Sequence, residues 1–299
     1  MNRISKKLYS YGKFMGILLS ITSLIFFSFY LIENKSYFSL NYIYSNYKII
    51  ILSLFIYFIT IFIMIISCKI ISDKFSYRIK FTHWSIIFMI SQIGKYIPGN
   101  VAHFFGRAYL AKKYGMPLEA SGIAIVLEQS GVLIAGAILA GLAATLGFVE
   151  GASLRLPIVV GMAAIVALAV SILLVRKRLN IVSRLTGTLI CALTCYLTVF
   201  VLLSAANIVL ISAMSGDWSW PSALRVASAL VVSWLIGFVT PGAPAGLGLR
   251  EISFFSLLSG AYPDSVILFA AAGFRLVTIV GDALAWLIGV SLSSLQGQP

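Results

Sequence analysis

Apolar runs of about twenty residues recur along this chain of 299 residues, and they constrain its fold more than any other feature. A helix needs about 20 predominantly apolar residues to cross about 30 Å of hydrocarbon. Uninterrupted runs of about this length lie at about 14–32, 49–68, 118–148, 156–175, 186–214 and 264–290. We therefore predict an all-α polytopic membrane protein with six full spans, in which residues 1–299 form a single transmembrane domain.

The composition excludes most classes of soluble protein. Hydrophobic residues make up 60% of the chain and charged residues 10%, whereas about 25% charge is usual in soluble domains. Twenty-two Lys and Arg stand against nine Asp and Glu, but these cations lie between apolar runs, where they meet lipid headgroups. No nucleic-acid partner is therefore expected. Three Cys and two His form no ligand pattern, so neither a metal nor a cofactor is predicted.

The distribution of cations predicts the orientation in the membrane. One side of the predicted spans carries fourteen Lys and Arg residues and the other side carries three. The fourteen lie in the N-terminal arm, in the 69–80 loop, at Lys112 and Lys113, and in the 176–184 loop. Because cytoplasmic loops are enriched in Lys and Arg, we expect both termini in the cytoplasm.

Two apolar stretches are interrupted and do not fit simple spans. The first, residues 84–111, is broken at Pro98-Gly99, and the second, residues 220–262, is broken at 241–248. A break at membrane depth leaves backbone polar groups unpaired, which is tolerated where protein buries them or where they line a wet cavity. We therefore predict two re-entrant helical hairpins beside the six spans. In the alternative, an arrangement of eight helices, the segment before the second break crosses completely.

The two broken stretches share the pattern Gly-x3-Pro-Gly-x7-Arg at an offset of 143 residues. The matched residues are Gly94, Pro98, Gly99 and Arg107 in the first stretch and Gly237, Pro241, Gly242 and Arg250 in the second. An odd number of predicted spans separates the two stretches, so they are expected to enter the membrane from opposite faces. We predict an inverted internal repeat with units of about 49–148 and 186–290, which is a recurring design in transporters.

Ionisable residues at membrane depth are candidates for a binding site, because each costs several kcal/mol unless it is paired or hydrated. The candidate substrate-binding residues are Arg107, Arg250, Asn100, Glu128, Arg275 and Glu251. A guanidinium matches the geometry of a phosphate, so we predict that Arg107 and Arg250 bind an anionic headgroup. Glu128 and Arg275 would gate or neutralise the cleft, and Asn100 would bind substrate or cap the next helix. In the alternative, ion pairs only hold the repeats together, Glu128 with one arginine and Asp282 with another.

Glycine and proline residues at the breaks are candidate hinges that let the hairpins rock. They are Gly94, Pro98, Gly99, Pro241, Gly242, Gly246 and Gly248. The helix N-termini that such breaks expose would add N–H donors for the same phosphate. The alternative is that the glycines only permit close helix packing, as small residues do in membranes. Each arginine is followed by a proline, Pro117 or Pro263, which we expect to open a long helix.

The two broken motifs resemble those of a known family. The first reads Gly-Lys-Tyr-Ile-Pro-Gly-Asn from residue 94, with Gly106-Arg107 beyond, and the second runs from Pro241-Gly242 to Glu251. They resemble the lysylphosphatidylglycerol synthase transmembrane-region family, the flippase-like membrane module of the multiple peptide resistance factor. The second motif has Ala-Pro-Ala-Gly-Leu-Gly where relatives often have Gly-Gly-x-Gly. The aminoacyl-transferase domain of the synthases is not among these 299 residues, so we do not expect that activity.

The resemblance and the site residues together predict a translocase of the bacterial inner membrane. Its substrate would be an anionic phospholipid or a polyprenyl-phosphate-linked glycan, and enzymes of envelope biosynthesis are further candidate partners. The alternatives are a membrane-embedded transferase for lipid-linked sugars and an accessory protein in envelope glycan or lipid biosynthesis. The chain has no evident pair of carboxylates for acid–base or metal chemistry, so an enzyme is the weaker hypothesis. The sequence leaves the oligomeric state open.

Overall fold

Eight α-helices make up most of the part of the chain that the structure, a computed structural model, describes. It describes residues 47–75, 77, 79–97, 101–148, 182–216, 218–240 and 244–296, without the side chains of 182–186 and 244. The helices are α1 Tyr47–Ser72, α2 Phe81–Gln92, α3 Ala102–Lys113, α4 Leu118–Thr145, α5 Val182–Ser215, α6 Trp220–Val239, α7 Leu249–Leu258 and α8 Asp264–Leu295. Short 3₁₀ helices lie at Asp73–Phe75, Ile93–Tyr96 and Pro244–Gly246. The all-α prediction is confirmed over these ranges, which contain no β-strand.

Five helices are long and apolar enough to cross a membrane. They are α1, α4, α5, α6 and α8. Four of them correspond to the predicted spans at 49–68, 118–148, 186–214 and 264–290, whereas the predicted spans at 14–32 and 156–175 lie outside the described residues. The fifth, α6, forms the first part of the second broken stretch, and its 20 residues suffice for a full crossing, as the alternative arrangement requires. The chain is therefore a multi-pass membrane protein.

Helix α5 packs against α1, α4, α6 and α8. Its Tyr196 and Phe200 are among the largest fully buried side chains, together with Phe88 of α2 and Leu235 of α6. Large apolar side chains also cover the outside of the bundle, among them Phe105, which is 73% exposed. Extensive apolar surface of this kind indicates contact with lipid.

The long helices α4 and α8, which come after the two broken stretches, each begin directly after a proline. Pro117 precedes α4 and Pro263 precedes α8, and the carbonyl of each accepts a hydrogen bond from the first turn of its helix. Proline has a fixed φ and no N–H, and a helix start requires neither a free φ nor that donor. Glu119 and Asp264 add negative charge to the first turns, where the helix dipole favours it. The predicted role of both prolines is confirmed.

The first broken stretch consists of α2, the 3₁₀ helix Ile93–Tyr96 and α3. Gly94 lies in the 3₁₀ helix against the start of α3, and a Cβ added there would lie 2.7 Å from the backbone nitrogen of His103. Only glycine allows this close approach. The predicted hinge residues Pro98 and Gly99, together with Asn100, lie outside the described residues.

The second broken stretch consists of α6, the 3₁₀ helix Pro244–Gly246 and α7. Its backbone enters the left-handed region at Ala245, where φ is 49°, and at Gly246 and Gly248, where φ is 69° and 83°. A right-handed helix cannot continue through such backbone, so α7 begins only after Gly248. The 3₁₀ helices of the two stretches contact each other, so the breaks meet within the bundle. Residues 241–243, which include two predicted hinge residues, lie outside the described part of the chain.

Candidate functional site

A cavity lies among the eight helices, and each of them contributes residues to its wall. The cavity holds about 200 Å³ of space for water-sized molecules, and the described residues do not enclose it completely. Six charged side chains line it, namely Lys95, Arg107, Glu128, Arg250, Glu251 and Arg275. The structure therefore brings together five of the six predicted binding residues, and the sixth, Asn100, lies outside the described residues.

Arg107 and Glu128 form a buried ion pair on one wall of the cavity. The Nη1 atom of Arg107 lies 2.6 Å from Oε1 and 2.8 Å from Oε2 of Glu128, and each residue is 3% exposed. The ring of Phe88 covers the guanidinium, with its centroid 4.4 Å from Cζ, and the thiol of Cys68 donates to Glu128 at 3.1 Å. The charge of Arg107 is thus compensated inside the protein, as the ion-pair alternative predicted for Glu128.

A second compensated pair joins the first break to α8. Lys95 Nζ lies 2.5 Å from Oδ2 of Asp282, which is fully buried. The hydroxyl groups of Tyr57 and Tyr96 donate to the same carboxylate at 2.8 Å and 2.6 Å. Gly281 makes room for this cluster, because a Cβ there would lie 2.4 Å from the ring of Tyr57. The ion-pair alternative assigned an arginine to Asp282, and the structure places Lys95 there instead.

Arg275 and Glu251 connect α8 to the second break. Arg275 Nε lies 3.6 Å from Glu251 Oε1, and its two terminal nitrogens donate to the carbonyl of Ala245 at 3.3 Å and 3.4 Å. Glu251 Oε2 also accepts a hydrogen bond of 2.7 Å from the N–H of Gly248 at the start of α7. These contacts stabilise the left-handed turn, because they satisfy the polar groups that the break exposes.

Arg250 differs from the other cavity cations in its surroundings. Among the described residues, no carboxylate lies within ion-pair distance of it. Its guanidinium lies over the ring of Trp234, with 5.0 Å between Cζ and the ring centroid. Its aliphatic part fills a slot beside Gly237 and Gly246, where added Cβ atoms would lie 2.3 Å from Cγ and 2.6 Å from Nε. Both glycines therefore make space for Arg250, a role that differs from the hinge predicted for Gly246.

The sequence predicted no role for Trp234 and Tyr57, which contact cations of this cavity. A signal for Trp234 exists, since it lies three residues before Gly237 and therefore on the same face of α6. Tyr57 gives no such signal, because it is a single tyrosine within an apolar run. Only the packing of α1 against α8 brings it to Asp282.

The comparison with protein families adds an independent observation. The sequence model of the lysylphosphatidylglycerol synthase TM region family matches residues 14–285. No curated protein and no solved structure was found to match the chain. The matched region includes both breaks and all six charged residues that line the cavity. Because the match covers most of the 299 residues, the chain belongs to the lysylphosphatidylglycerol synthase TM region family.

Proposed function

We propose that this protein is a translocase that moves an anionic phospholipid or a polyprenyl-phosphate-linked glycan between the leaflets of the bacterial inner membrane. Its family indicates a membrane module of lipid or cell-envelope biosynthesis. The single observation that carries the proposal is the position of Arg250, which lies in the wall of the cavity with no carboxylate of the described residues within ion-pair distance. The cation distribution supports an orientation with both termini in the cytoplasm.

An arginine in this position is suited to hold a phosphate. A cation at membrane depth is costly unless another charge or water compensates it, and a lipid phosphate supplies that charge. The guanidinium can donate two parallel hydrogen bonds to the phosphate oxygens. Trp234 and the slot beside Gly237 already restrict the side chain of Arg250, so binding loses less conformational entropy.

For Arg107, which the sequence analysis also assigned to phosphate binding, we propose a structural role. Glu128 already accepts its hydrogen bonds, and both residues are buried. A phosphate that displaced Glu128 would leave a carboxylate buried without its partner, which is strongly unfavourable. The pair therefore stabilises the contact between α3 and α4.

We further propose that the two broken stretches are inverted repeats that enter the membrane from opposite faces and move against each other. The shared motif supports this, as does the shared order of helix, 3₁₀ segment, short helix, proline and long helix. The contact between the 3₁₀ helices places both breaks beside the cavity. Movement at this contact would open the cavity to one leaflet and then to the other, as in transporters with inverted repeats.

The test is lipid translocation by the purified protein in liposomes. A fluorescent phosphatidylglycerol is incorporated in both leaflets, and a membrane-impermeant reductant quenches the label that reaches the outer leaflet. We expect faster loss of the protected signal than in protein-free liposomes, and a rate about tenfold lower for Arg250→Gln. The control is Gly122→Ala, since a Cβ at Gly122 meets nothing within 4 Å.

Translocation that is no faster than in protein-free liposomes, for phosphatidylglycerol and for a polyprenyl-phosphate-linked sugar alike, would contradict the proposal. Chemical turnover of a lipid-linked sugar by the same preparation would favour the transferase instead.

A further inference from the structure

We infer that the transported headgroup carries a single negative charge, on a phosphodiester, and that the rest of the headgroup is uncharged and rich in hydroxyl groups. This inference rests on the proposed function and names the substrate class of the same cavity. It follows from the charges of the cavity wall and of the carboxylates that these charges contact.

The charges at the first break cancel. Arg107 pairs with Glu128, and Lys95 pairs with Asp282, which also receives two tyrosine hydroxyl groups. Each pair joins one cation to one carboxylate at hydrogen-bond distance and is mostly or fully buried. This part of the wall therefore offers a ligand neither a net positive nor a net negative charge.

The charges at the second break leave an excess of one positive charge. Two guanidinium groups, those of Arg250 and Arg275, stand beside one carboxylate, that of Glu251. Glu251 lies 3.6 Å from Arg275 and also accepts the N–H of Gly248, so Arg250 is the cation without an ion-pair partner in the described structure. The stretches 98–100 and 241–243, which complete the two breaks, contain no charged residue that could change this balance.

A ligand with one negative charge balances the charges of the cavity wall that the described residues form. A phosphomonoester carries close to two negative charges above its second pKa of about 6, and its second charge would lie uncompensated near Glu251 and Glu128. A zwitterionic headgroup would bring a cation next to Arg250 and Arg275, where like charges repel. Since uncompensated charge is most costly where water is scarce, the cavity selects against both.

Uncharged polar side chains also line the wall. The amides of Gln92 and Asn207 can both donate and accept hydrogen bonds, whereas the hydroxyl group of Ser233 donates to the carbonyl of Leu230 and can only accept from a ligand. Hydroxyl groups have the same double capacity, so a glycerol or sugar headgroup can pair with such side chains without adding charge. The rings of Tyr57 and Tyr96 add flat apolar surfaces that suit a sugar ring.

The experiment compares matched lipids in the same liposome assay at pH 8. The first pair is phosphatidylglycerol, a phosphodiester, and phosphatidic acid, a monoester. The second pair is a polyprenyl phosphohexose, a phosphodiester, and the corresponding polyprenyl phosphate. Phosphatidylcholine serves as the zwitterion. We expect the phosphodiester of at least one pair to move about tenfold faster than its monoester and than phosphatidylcholine, and the pair concerned identifies the lipid carrier.

A variant with a changed charge balance makes the test sharper. Glu128→Gln removes a carboxylate and leaves Arg107 as a second uncompensated cation, so the rate of the monoester relative to the phosphodiester should rise about tenfold. A ratio of two lipids measured with one preparation does not depend on the fraction of folded protein. Gly122→Ala should leave this ratio unchanged.

Equal rates within both pairs, or faster movement of the monoesters, would overturn the inference while translocation itself stands. An unchanged ratio in Glu128→Gln would also overturn it. If none of the five lipids moves faster than in protein-free liposomes, the proposed function itself fails, and the inference fails with it.

Discussion

Arg107 and Arg250 occupy the same position in the repeated motif, yet the structure surrounds them differently. Arg107 lies in a buried ion pair with Glu128, under the ring of Phe88. Arg250 lines the same cavity, no carboxylate of the described residues lies within ion-pair distance of it, and Trp234 covers its guanidinium. We therefore propose that one copy of the motif stabilises the fold and that the other offers a cation to a ligand.

The sequence outside the motif explains this difference. The residue 143 positions after Glu128 is Ala271, and the segment from Ala271 to Phe274 in α8 contains no acidic residue. The residue 143 positions before Trp234 is Ser91, which has no ring to place over Arg107. A repeated backbone pattern thus conserves the place of an arginine, whereas the partners from neighbouring helices determine its role.

Breaking the buried ion pair of Arg107 and Glu128 should have the largest effect on stability. Arg107→Gln leaves Glu128 buried without its partner, and we expect a loss of about 3–5 kcal/mol in the free energy of unfolding. The double variant Arg107→Gln/Glu128→Gln should recover most of this loss, because it leaves no buried charge. Unfolding in detergent, followed by tryptophan fluorescence, measures both.

At the other break, Arg250→Gln serves as the comparison. It should lower the free energy of unfolding by about 1 kcal/mol or less, because it removes only the cation–π contact of Arg250 with Trp234. Equal destabilisation by the two arginine substitutions would show that the two sites do not differ in the way we describe.

A carboxylate introduced into the cavity near Arg250 should have the largest effect on transport. Ala271→Glu introduces, at the position that corresponds to Glu128, a carboxylate into the cavity that Arg250 also lines. We expect the new carboxylate to cancel the excess positive charge of Arg250 and Arg275 and to lower the translocation rate about a hundredfold, since a phosphate would no longer meet an uncompensated cation. Ala271→Gln is the control of equal size, and its rate should fall much less. Similar rates for both variants would mean that steric obstruction, not charge, causes the loss.

Substitutions of the two glycines that correspond in the motifs should differ in the same way, one affecting mainly transport and the other mainly stability. At Gly237, a new Cβ meets the side chain of Arg250 and must displace it from its slot, so Gly237→Ala should lower translocation about tenfold and cost less stability than Gly94→Ala. At Gly94, a new Cβ meets the backbone of His103, so Gly94→Ala should destabilise the protein by about 1–3 kcal/mol. Liposome translocation and detergent unfolding, measured on both variants, check this division, and the reverse pattern would contradict it.

The smallest effect is expected at the ring that covers Arg250. Trp234→Leu removes a cation–π contact of about 0.5–1 kcal/mol, which corresponds to a threefold to fivefold lower translocation rate at limiting lipid concentration. Trp234→Phe keeps a ring and should retain most of the rate. A larger loss in Trp234→Phe than in Trp234→Leu would exclude the proposed role of the ring.

The fold could be predicted from the sequence as far as hydropathy and proline define it. Membrane-spanning helices at 118–148 and 264–290, and the prolines that open them, follow from the apolar runs and from the backbone chemistry of proline. The length of α6 is compatible with two arrangements, because an apolar run of 20 residues that ends at a break can either cross the membrane or turn back within it.

The site could be predicted only in part. The motif and the cost of charge in a membrane identified Arg107, Glu128, Arg250, Glu251 and Arg275, which line one cavity. Which arginine pairs with which acid depends on the contacts among α3, α4, α7 and α8, and no local pattern specifies such contacts. The same limit explains why Lys95 was not expected as the partner of Asp282.

The most direct test of the division between the two arginines compares two neutralised proteins in one translocation assay. Arg250→Gln removes the cation that has no ion-pair partner among the described residues. Arg107→Gln/Glu128→Gln removes the buried ion pair without changing the net charge of the cavity. We predict a rate about tenfold below wild type for Arg250→Gln and at least half of the wild-type rate for the double variant. A double variant that folds stably but no longer moves lipid, beside an Arg250→Gln protein that does, would contradict the account.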